Sequence, residues 1–279
     1  MTRRERLLEK LKALQTGPKR SLGQNFLIAD GVIERILERA GRPGFSELLE
    51  IGPGLGALTE GLIEISNRTA GSRLRVIELD RAFADDWRSR EVEVIEGDAL
   101  QIDWRALALK PGARLVSNLP YQISSSLVID RSVWPFGVTS MVLMFQKEVA
   151  RRITAQARSE DYGLLSVIAQ IGWTVNLVSE AGPGDFYPPP RVASRVLGFE
   201  RRADAPDEAE FAGFLKFAKA AYSHRRKLMV KNLEPLVGNR ERLESLLVEH
   251  GHSIQARVEE LSPEKLLAYF RSVRMAGGK

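Results

Sequence analysis

Short apolar runs alternate with amphipathic helical segments over the middle of this 279-residue chain, and this alternation constrains the fold most strongly. Strands that are each followed by a helix predict crossover connections and a mostly parallel sheet with helices on both faces. Two later runs flank a proline-rich loop, and one of them is expected to return antiparallel at the end of the sheet. The seven runs are ELLEIG, LRVIEL, VEVIEG, RLVSNL, TSMVLMF, WTVNLVSE and SRVLGFE. The sequence therefore predicts a Rossmann-like α/β fold with seven strands.

The two ends of the chain differ from this alternating region. Leucines recur at helical spacing near the N terminus and predict a short amphipathic helix over residues 3–15. After the charged linker RRADAPDEAE, the sequence has only helical periodicity. We therefore predict an N-terminal extension at 1–17, a sheet domain at 18–203 and a small helical domain at 204–279.

Composition narrows the possible classes of protein. The chain has no cysteine, so it has neither a disulfide framework nor a thiolate metal site. Its apolar runs are far shorter than the roughly 18 residues that span a bilayer, and no apolar segment follows the basic N terminus. The net charge of +5 favours an anionic partner. We therefore expect a cytoplasmic protein that binds no membrane. We also expect no bound metal, because the three histidines lack further ligands at metal-binding spacing.

Glycines and acids follow the ends of the first three predicted strands, where ligands bind in open α/β sheets. Gly52 and Gly54 allow the backbone to approach a ligand, although three glycines in GPGLG also suit a structural turn. Glu78 ends the second strand, where a carboxylate can accept hydrogen bonds from both ribose hydroxyls. Asp98 follows the third strand and can accept a hydrogen bond from an adenine amine. Together these positions predict a nucleoside pocket.

The fourth predicted strand ends in Asn118, Leu119, Pro120 and Tyr121. Pro120 fixes its own φ and forces Leu119 to be extended, so the Asn118 side-chain oxygen and the Leu119 carbonyl can face the same way as two acceptors. Two acceptors suit an exocyclic NH₂ group of a base, and holding both protons favours a nitrogen lone pair that faces an electrophile. Tyr121 offers a ring for stacking a flipped base, and Phe186 in a stiff proline-rich loop offers a second.

In chain order, these and further motifs resemble those of the bacterial small-subunit ribosomal RNA adenine dimethyltransferases, called KsgA or RsmA. The resemblance runs from about residue 18 to the end of the chain. Its motifs are KRSLGQNFL, EIGPGLGALTE, VIELD, GDA, NLPYQIS, MVLMFQKEVA, DYGLLSV, FYPPPRVASRV and SHRRK. Ser125 and Ser126 depart from the Thr-Pro pair that often follows NLPYxIS, and the first 17 residues exceed the usual start and have no assigned role.

The resemblance implies a class I methyltransferase that uses S-adenosylmethionine to dimethylate N6 of two adjacent adenosines near the 3′ end of small-subunit rRNA. It places Asn25, Leu27 and Gly52 at the methionine side of the cofactor, Glu78 at its ribose and Asp98 at its adenine. Its implied partners are this rRNA and the immature small ribosomal subunit, and we expect a monomer.

The resemblance also implies roles in target binding. Asn118 would bridge cofactor and target, and Tyr121 and Phe186 would stack the flipped base. The helical domain would contact RNA through Arg225, Arg226 and Lys227. No metal or strong general base is needed, because a sulfonium methyl donor loses its charge in the transfer.

Three other functions remain open at the level of sequence. Erythromycin-resistance methyltransferases share the strand-end motifs but modify large-subunit rRNA. A mainly noncatalytic ribosome-assembly factor could use the same fold to bind immature small subunits. A nicotinamide oxidoreductase is compatible with the glycines and a following acid, but it leaves the NLPY motif without a function.

Overall fold

The computed structural model describes residues 1–19 and 22–277. The chain forms two compact units. The first comprises Met1–Arg131, Pro135–Ala150 and Val175–Arg201, and the second comprises Ser132–Trp134, Arg151–Thr174 and the chain from Arg202 onward.

The elements follow one another in the order expected for an α/β sheet with a helical C-terminal region. In chain order they are α1 (Arg3–Ala13), β1 (Phe26–Leu27), α2 (Asp30–Ala40), β2 (Leu48–Ile51), α3 (Thr59–Arg68), β3 (Leu74–Glu78), α4 (Arg81–Ser89), β4 (Glu93–Glu96), β5 (Ala113–Asn118), α5 (Tyr121–Val133), β6 (Val138–Gln146), α6 (Lys147–Thr154), α7 (Leu164–Gly172), β7 (Trp173–Ala181), β8 (Phe186–Tyr187), β9 (Ser194–Arg201), α8 (Glu208–Ala221), α9 (Met229–Val237), α10 (Arg240–Glu249) and α11 (Pro263–Gly277).

Seven strands form the central sheet in the order β4-β3-β2-β5-β6-β9-β7. The five strands from β4 to β6 are parallel, and β9 runs antiparallel to β6. This confirms the predicted seven-stranded, mostly parallel sheet. The separate two-residue pair of β1 and β8 was not predicted, because so short a strand has no detectable periodicity.

The middle of the sheet is fully buried. All four residues of β2 and the first five of β5 are buried, as expected for parallel strands that are covered on both faces. Because β2, β3, β4 and β5 are parallel, their carboxyl ends meet at one edge of the sheet. The predicted ligand-binding residues that follow these strands are therefore brought together.

Helix α1 packs within the first unit through two buried leucines. Leu7 and Leu11 are buried in a cluster with Phe26, Leu55 and Phe83. A capping box fixes the start of the helix, because the Thr2 hydroxyl accepts from the Glu5 amide and the Glu5 carboxylate accepts from the Thr2 amide. The predicted N-terminal helix is present and is anchored to the fold.

Residues 208–277 of the second unit form helices α8 to α11 with an aromatic core. Four rings pack at centroid distances of 5.4 to 5.9 Å, namely Phe214, Phe217, Tyr269 and Phe270. Residues 151–174 cluster with these helices. The division at 203/204 between a cofactor-binding and an RNA-contacting domain concerns function and stays a prediction.

Candidate active site

A cavity of about 510 Å³ lies at the carboxyl edge of β2, β3, β4 and β5. This volume is in the range that holds a small-molecule ligand. Among the residues that line it are four segments that follow these strands and two that come from the N-terminal part of the chain. They are Gly52–Leu58, Ile77–Leu79, Gly97–Ala99, Asn118–Ile123, Leu22–Leu27 and, from α1, Arg3, Arg6, Leu7 and Lys10.

The glycine loop (residues 52–56) connects β2 to α3 and needs its glycines. Gly54 has φ +50°, and a Cβ there would lie 3.1 Å from the Phe26 ring. Gly56 has φ +93°, and a Cβ there would lie 2.7 Å from Trp87. The Trp87 indole N–H donates to the Gly54 carbonyl at 2.8 Å. The loop is therefore packed closely against its neighbours where it lines the cavity.

Glu78 lies at the end of β3 and is 6% exposed. Its Oε2 accepts from the Gly54 amide at 3.1 Å, and its Oε1 accepts from the Asp80 amide at 2.8 Å. Burial raises the pKa of this carboxyl, and the two amides oppose the shift. Each carboxylate oxygen can accept a second hydrogen bond, so Glu78 retains acceptor capacity at the cavity.

Asp98 also lines the cavity, but it is bound differently. Its Oδ1 accepts from the Leu100 amide at 2.9 Å, and its Oδ2 accepts from the Gln101 side chain at 3.2 Å. The residue is partly exposed and begins a turn. A local capping role and a position at the predicted adenine site therefore coincide in one residue.

Asn118 is held by a bond across the cavity. Its Nδ2 donates to the Asn25 carbonyl at 3.0 Å, and Asn25 Nδ2 donates in turn to the Gly23 carbonyl at 3.1 Å. Because the amide nitrogen donates to Asn25, Asn118 Oδ1 is the acceptor of this side chain, and its predicted alignment with the Leu119 carbonyl stays a prediction. Pro120 follows on the same wall, 3.9 Å from the position of a Cβ on Gly52. The Leu119 side chain is buried in the core.

The two predicted stacking rings have different environments. Tyr121 lines the cavity and is partly exposed, and its hydroxyl shares a 2.8 Å hydrogen bond with Ser194. Phe186 is 3% exposed and packs in the main core cluster with Leu27, opposite which it pairs in the β1–β8 ladder. Among the described residues, Tyr121 lines the cavity and Phe186 does not. The stacking role of Phe186 stays a prediction.

Glu50 is an acidic residue of the cavity that sequence reasoning missed. It lies in β2, is 2% exposed, and its Oε2 has no hydrogen-bond partner among the described residues. Burial raises its pKa to about 8, the Thr59 hydroxyl opposes this shift, and the Glu78 carboxylate adds to it. The available signal was a charge inside an otherwise apolar strand, immediately before the glycine loop.

The basic turn (residues 224–227) belongs to the second unit and is exposed. Arg225 is tied down, because it forms a 2.7 Å ion pair with Glu259 and donates to the carbonyls of Ser159 and Glu160. Arg226 and Lys227 have no ion pair within the described part of the chain. These two cations are therefore available to an anionic partner.

No group of three or more histidine, cysteine or acidic side chains in residues 1–19 and 22–277 could hold a metal ion. Within the same ranges, every helix is too short or too polar to cross a bilayer.

A family model described as "Ribosomal RNA adenine dimethylase" matches residues 16–274. The chain belongs to this family. Members of the dimethylase family are enzymes that methylate rRNA adenine with S-adenosylmethionine as cofactor, and this chain is such an enzyme. Helix α1 lies outside the matched residues.

Curated relatives of this dimethylase match almost its whole length. The "Ribosomal RNA small subunit methyltransferase A" of Bdellovibrio bacteriovorus is 47% identical over 272 residues, which cover 96% of this chain and 97% of the relative. The protein of the same name from Syntrophotalea carbinolica is 38% identical over 255 residues, which cover 89% and 94%.

Solved structures share the fold of this dimethylase. A dimethyladenosine transferase from Plasmodium falciparum has a TM-score of 0.71 at 21% identity, over 89% of this chain and 98% of that one. The 23S rRNA methyltransferase ErmE has a TM-score of 0.64 at 25% identity, over 90% and 100%. The class I methyltransferase sheet is thereby confirmed.

The residues around the cavity fit the family's cofactor. The glycine loop lines the cavity, and Glu78 retains acceptor capacity for hydroxyl groups. The unpaired oxygen of Glu50 is a buried acceptor, and a positively charged ligand would stabilise its ionised form. S-adenosylmethionine offers both hydroxyl groups and positive charge.

Proposed function

We propose that this dimethylase methylates N6 of two adjacent adenosines in a loop near the 3′ end of small-subunit rRNA. The observation that carries the proposal is the orientation of Asn118. Its amide nitrogen is bound to the Asn25 carbonyl, so its oxygen is the group left to accept from a ligand in the cavity. Asn118 Oδ1 and the Leu119 carbonyl would accept the two protons of the adenine amine.

The bound cofactor supplies an electrophilic methyl group on a sulfonium. Asn25, Leu27 and Gly52 would line its methionine side, Gly54 would approach it through the backbone, Glu78 would bind the ribose and Asp98 the adenine. All of these residues line the cavity. The chain would thus offer carboxylate acceptors to the ribose hydroxyls and to the exocyclic amine of the cofactor's adenine.

The adenine amine is a weak nucleophile, because its lone pair is delocalised into the ring. Two fixed acceptors hold both protons on one side and favour a pyramidal nitrogen, an interaction that is strongest in the transition state. Pro120 keeps Leu119 extended so that its carbonyl stays in place. Tyr121 would stack on the flipped base, and Phe186 would do so from the other side.

The names of the curated relatives favour the small subunit as the target. The relatives at 47% and 38% identity are both small-subunit methyltransferases, whereas the 23S rRNA enzyme ErmE is 25% identical. A large-subunit target is the second candidate, because the fold of ErmE covers 90% of this chain. Binding to immature small subunits without methyl transfer would be a further role of the same surface.

The proposed rRNA target sets the partner and the cellular location that we expect for the enzyme. We infer that the enzyme acts in the cytoplasm as a monomer on rRNA within an immature small subunit. Arg226 and Lys227 of the basic turn would contact RNA phosphates, with Arg225 holding the turn in place.

The target class is tested by a methyl-transfer assay with labelled cofactor. The substrates are unmethylated small subunits, large subunits and protein-free small-subunit rRNA. We expect label in two adjacent adenosines of the small-subunit rRNA. Label confined to large subunits would overturn the proposal in favour of the second candidate.

A further inference from the structure

Helix α1 contributes a row of cations to the cavity. Arg3, Arg6 and Lys10 lie at spacings of three and four residues, which places them on one face of a helix. All three line the cavity, together with Leu7 from the same helix. The family match begins after this helix, and no role is assigned to it by that match.

The outer two cations of the row are neutralised by the fold. Arg3 forms a 2.6 Å ion pair with Asp30 at the start of α2. Lys10 forms a 2.7 Å ion pair with Glu60 and donates to the Leu55 carbonyl of the glycine loop at 3.2 Å. Arg6 lies between them, is exposed, and has no side-chain partner in the part of the chain that the structure describes.

The position of Arg6 is fixed by its helix. Leu7, the next residue, is buried at 7% exposure, and Leu11 one turn later is buried at 5%. The capping box at Thr2 and the two flanking ion pairs hold the helix at both ends. Arg6 therefore stands at the cavity on an anchored element, which lowers the entropy cost of binding an anion there.

We propose that Arg6 binds an RNA backbone phosphate next to the target adenosine and that α1 is part of the RNA-binding surface. This inference rests on the proposed function. A base that flips into a pocket leaves its flanking phosphates outside, at the rim. Arg6 is exposed while lining the cavity, which is the position of a rim residue. Arg4 adds a second positive charge nearby. Its guanidinium lies over the Tyr187 ring at 5.4 Å and has no ion pair among the described residues.

The cofactor is the other source of an anion, through its carboxylate. The two sources are separable, because cofactor binding can be measured without RNA. Lys12 provides a matched control, since it is an exposed cation of the same helix that does not line the cavity. Glutamine is a good helix former, so Arg6→Gln and Lys12→Gln both preserve α1.

The experiment compares wild type, Arg6→Gln and Lys12→Gln for binding and methylation of unmethylated small subunits over a range of salt. We expect Arg6→Gln to weaken RNA binding roughly tenfold, as for one lost hydrogen bond to a charged group, and to reduce the salt slope by about one. S-adenosylmethionine affinity by calorimetry should stay at the wild-type value. Lys12→Gln should leave both affinities unchanged.

Two results would overturn the inference. Weaker cofactor binding with unchanged RNA affinity in Arg6→Gln would place the cofactor carboxylate at Arg6. Equal losses in Arg6→Gln and Lys12→Gln would show a nonspecific effect of net charge. The wild-type arm separates the two proposals. Wild type that leaves small subunits unmethylated overturns the proposed function, whereas either result above, obtained beside an active wild type, overturns only the role of Arg6.

Discussion

The cavity edge of the sheet and the basic turn are proposed to bind different kinds of partner, and they are built differently. At the cavity edge, each predicted polar residue is oriented by another group, as Glu78 is by two backbone amides and Asn118 by the Asn25 carbonyl. In the basic turn, Arg225 is held by Glu259, while Arg226 and Lys227 have no ion pairs within the described residues. Methyl transfer depends on fixed acceptors, whereas attraction to a polyanion depends mainly on charge.

The comparison is tested most strongly at Asn118. Replacing Asn118 with alanine removes one oriented acceptor, so we expect methyl transfer to fall by roughly 10² to 10³ while cofactor affinity changes little. Single-turnover methylation and calorimetry measure the two effects. Methyl transfer at the wild-type rate would show that the acceptor has no catalytic role.

Glu78 tests whether orientation at the cavity edge also governs cofactor binding. Glu78→Ala removes the predicted ribose acceptor and leaves two backbone amides unpaired, so we expect S-adenosylmethionine affinity to fall roughly 10- to 100-fold. Glu96→Ala is the control, because Glu96 pairs with Glu78 in the sheet register but is exposed and ion-paired with Arg88. Equal affinity in wild type and Glu78→Ala would contradict the ribose assignment.

Glu50 gives the cavity edge a pH dependence of stability. Its pKa is raised from 4.5 to about 8, so the folded chain keeps a proton that the unfolded chain releases. The stabilisation from this group is therefore complete below pH 4.5 and is lost as the pH rises towards 8, with a slope of at most about 1.4 kcal/mol per pH unit.

Denaturant unfolding of wild type and Glu50→Gln at several pH values, without cofactor, measures this slope. We expect the free energy of unfolding to fall less steeply between pH 5 and 8 in Glu50→Gln, since glutamine does not ionise. Parallel curves for the two proteins would show that Glu50 is already ionised in the folded state.

The basic turn should show the smallest effects. The double change Arg226→Gln and Lys227→Gln should raise KM for small subunits a few-fold and reduce the salt slope of binding by about two, with kcat and cofactor affinity unchanged. Arg225→Gln should instead lower the free energy of unfolding by at most about 1 kcal/mol, because its exposed ion pair with Glu259 is lost. A fall in kcat for the double variant would mean that the turn helps to orient the substrate.

The sheet and the strand-end residues could be predicted because their signals are local. Alternating strand and helix periods fix a parallel sheet, and parallel strands bring Glu78, Asp98 and Asn118 to one edge whatever the details of packing. The sequence also predicts an extended Leu119 before Pro120, whereas the bond that orients the Asn118 amide comes from Asn25, 93 residues away in the chain.

The remaining features depend on contacts between distant parts of the chain. Arg6 lies in an amphipathic helix whose docking site cannot be read from its own sequence. The packing of Phe186 in the core follows from the β1–β8 pair, which is too short to give a pattern. In the sequence, Glu50 is a single charge in an apolar strand. That its Oε2 has no hydrogen-bond partner among the described residues depends on the surrounding residues, which the sequence does not show.

The hydrogen bond between Asn118 and Asn25 joins the residue proposed to bind the target adenine to the segment proposed to bind the cofactor. Asn25 belongs to the segment expected to wrap the methionine end of the cofactor, and its carbonyl also aims the amide expected to receive the adenine. A displacement of that segment would disturb both tasks at once. Such an enzyme gains from binding its methyl donor before RNA. The bound donor would fix the position of the Asn25 segment, and this segment would then hold the Asn118 acceptor in place for the adenine.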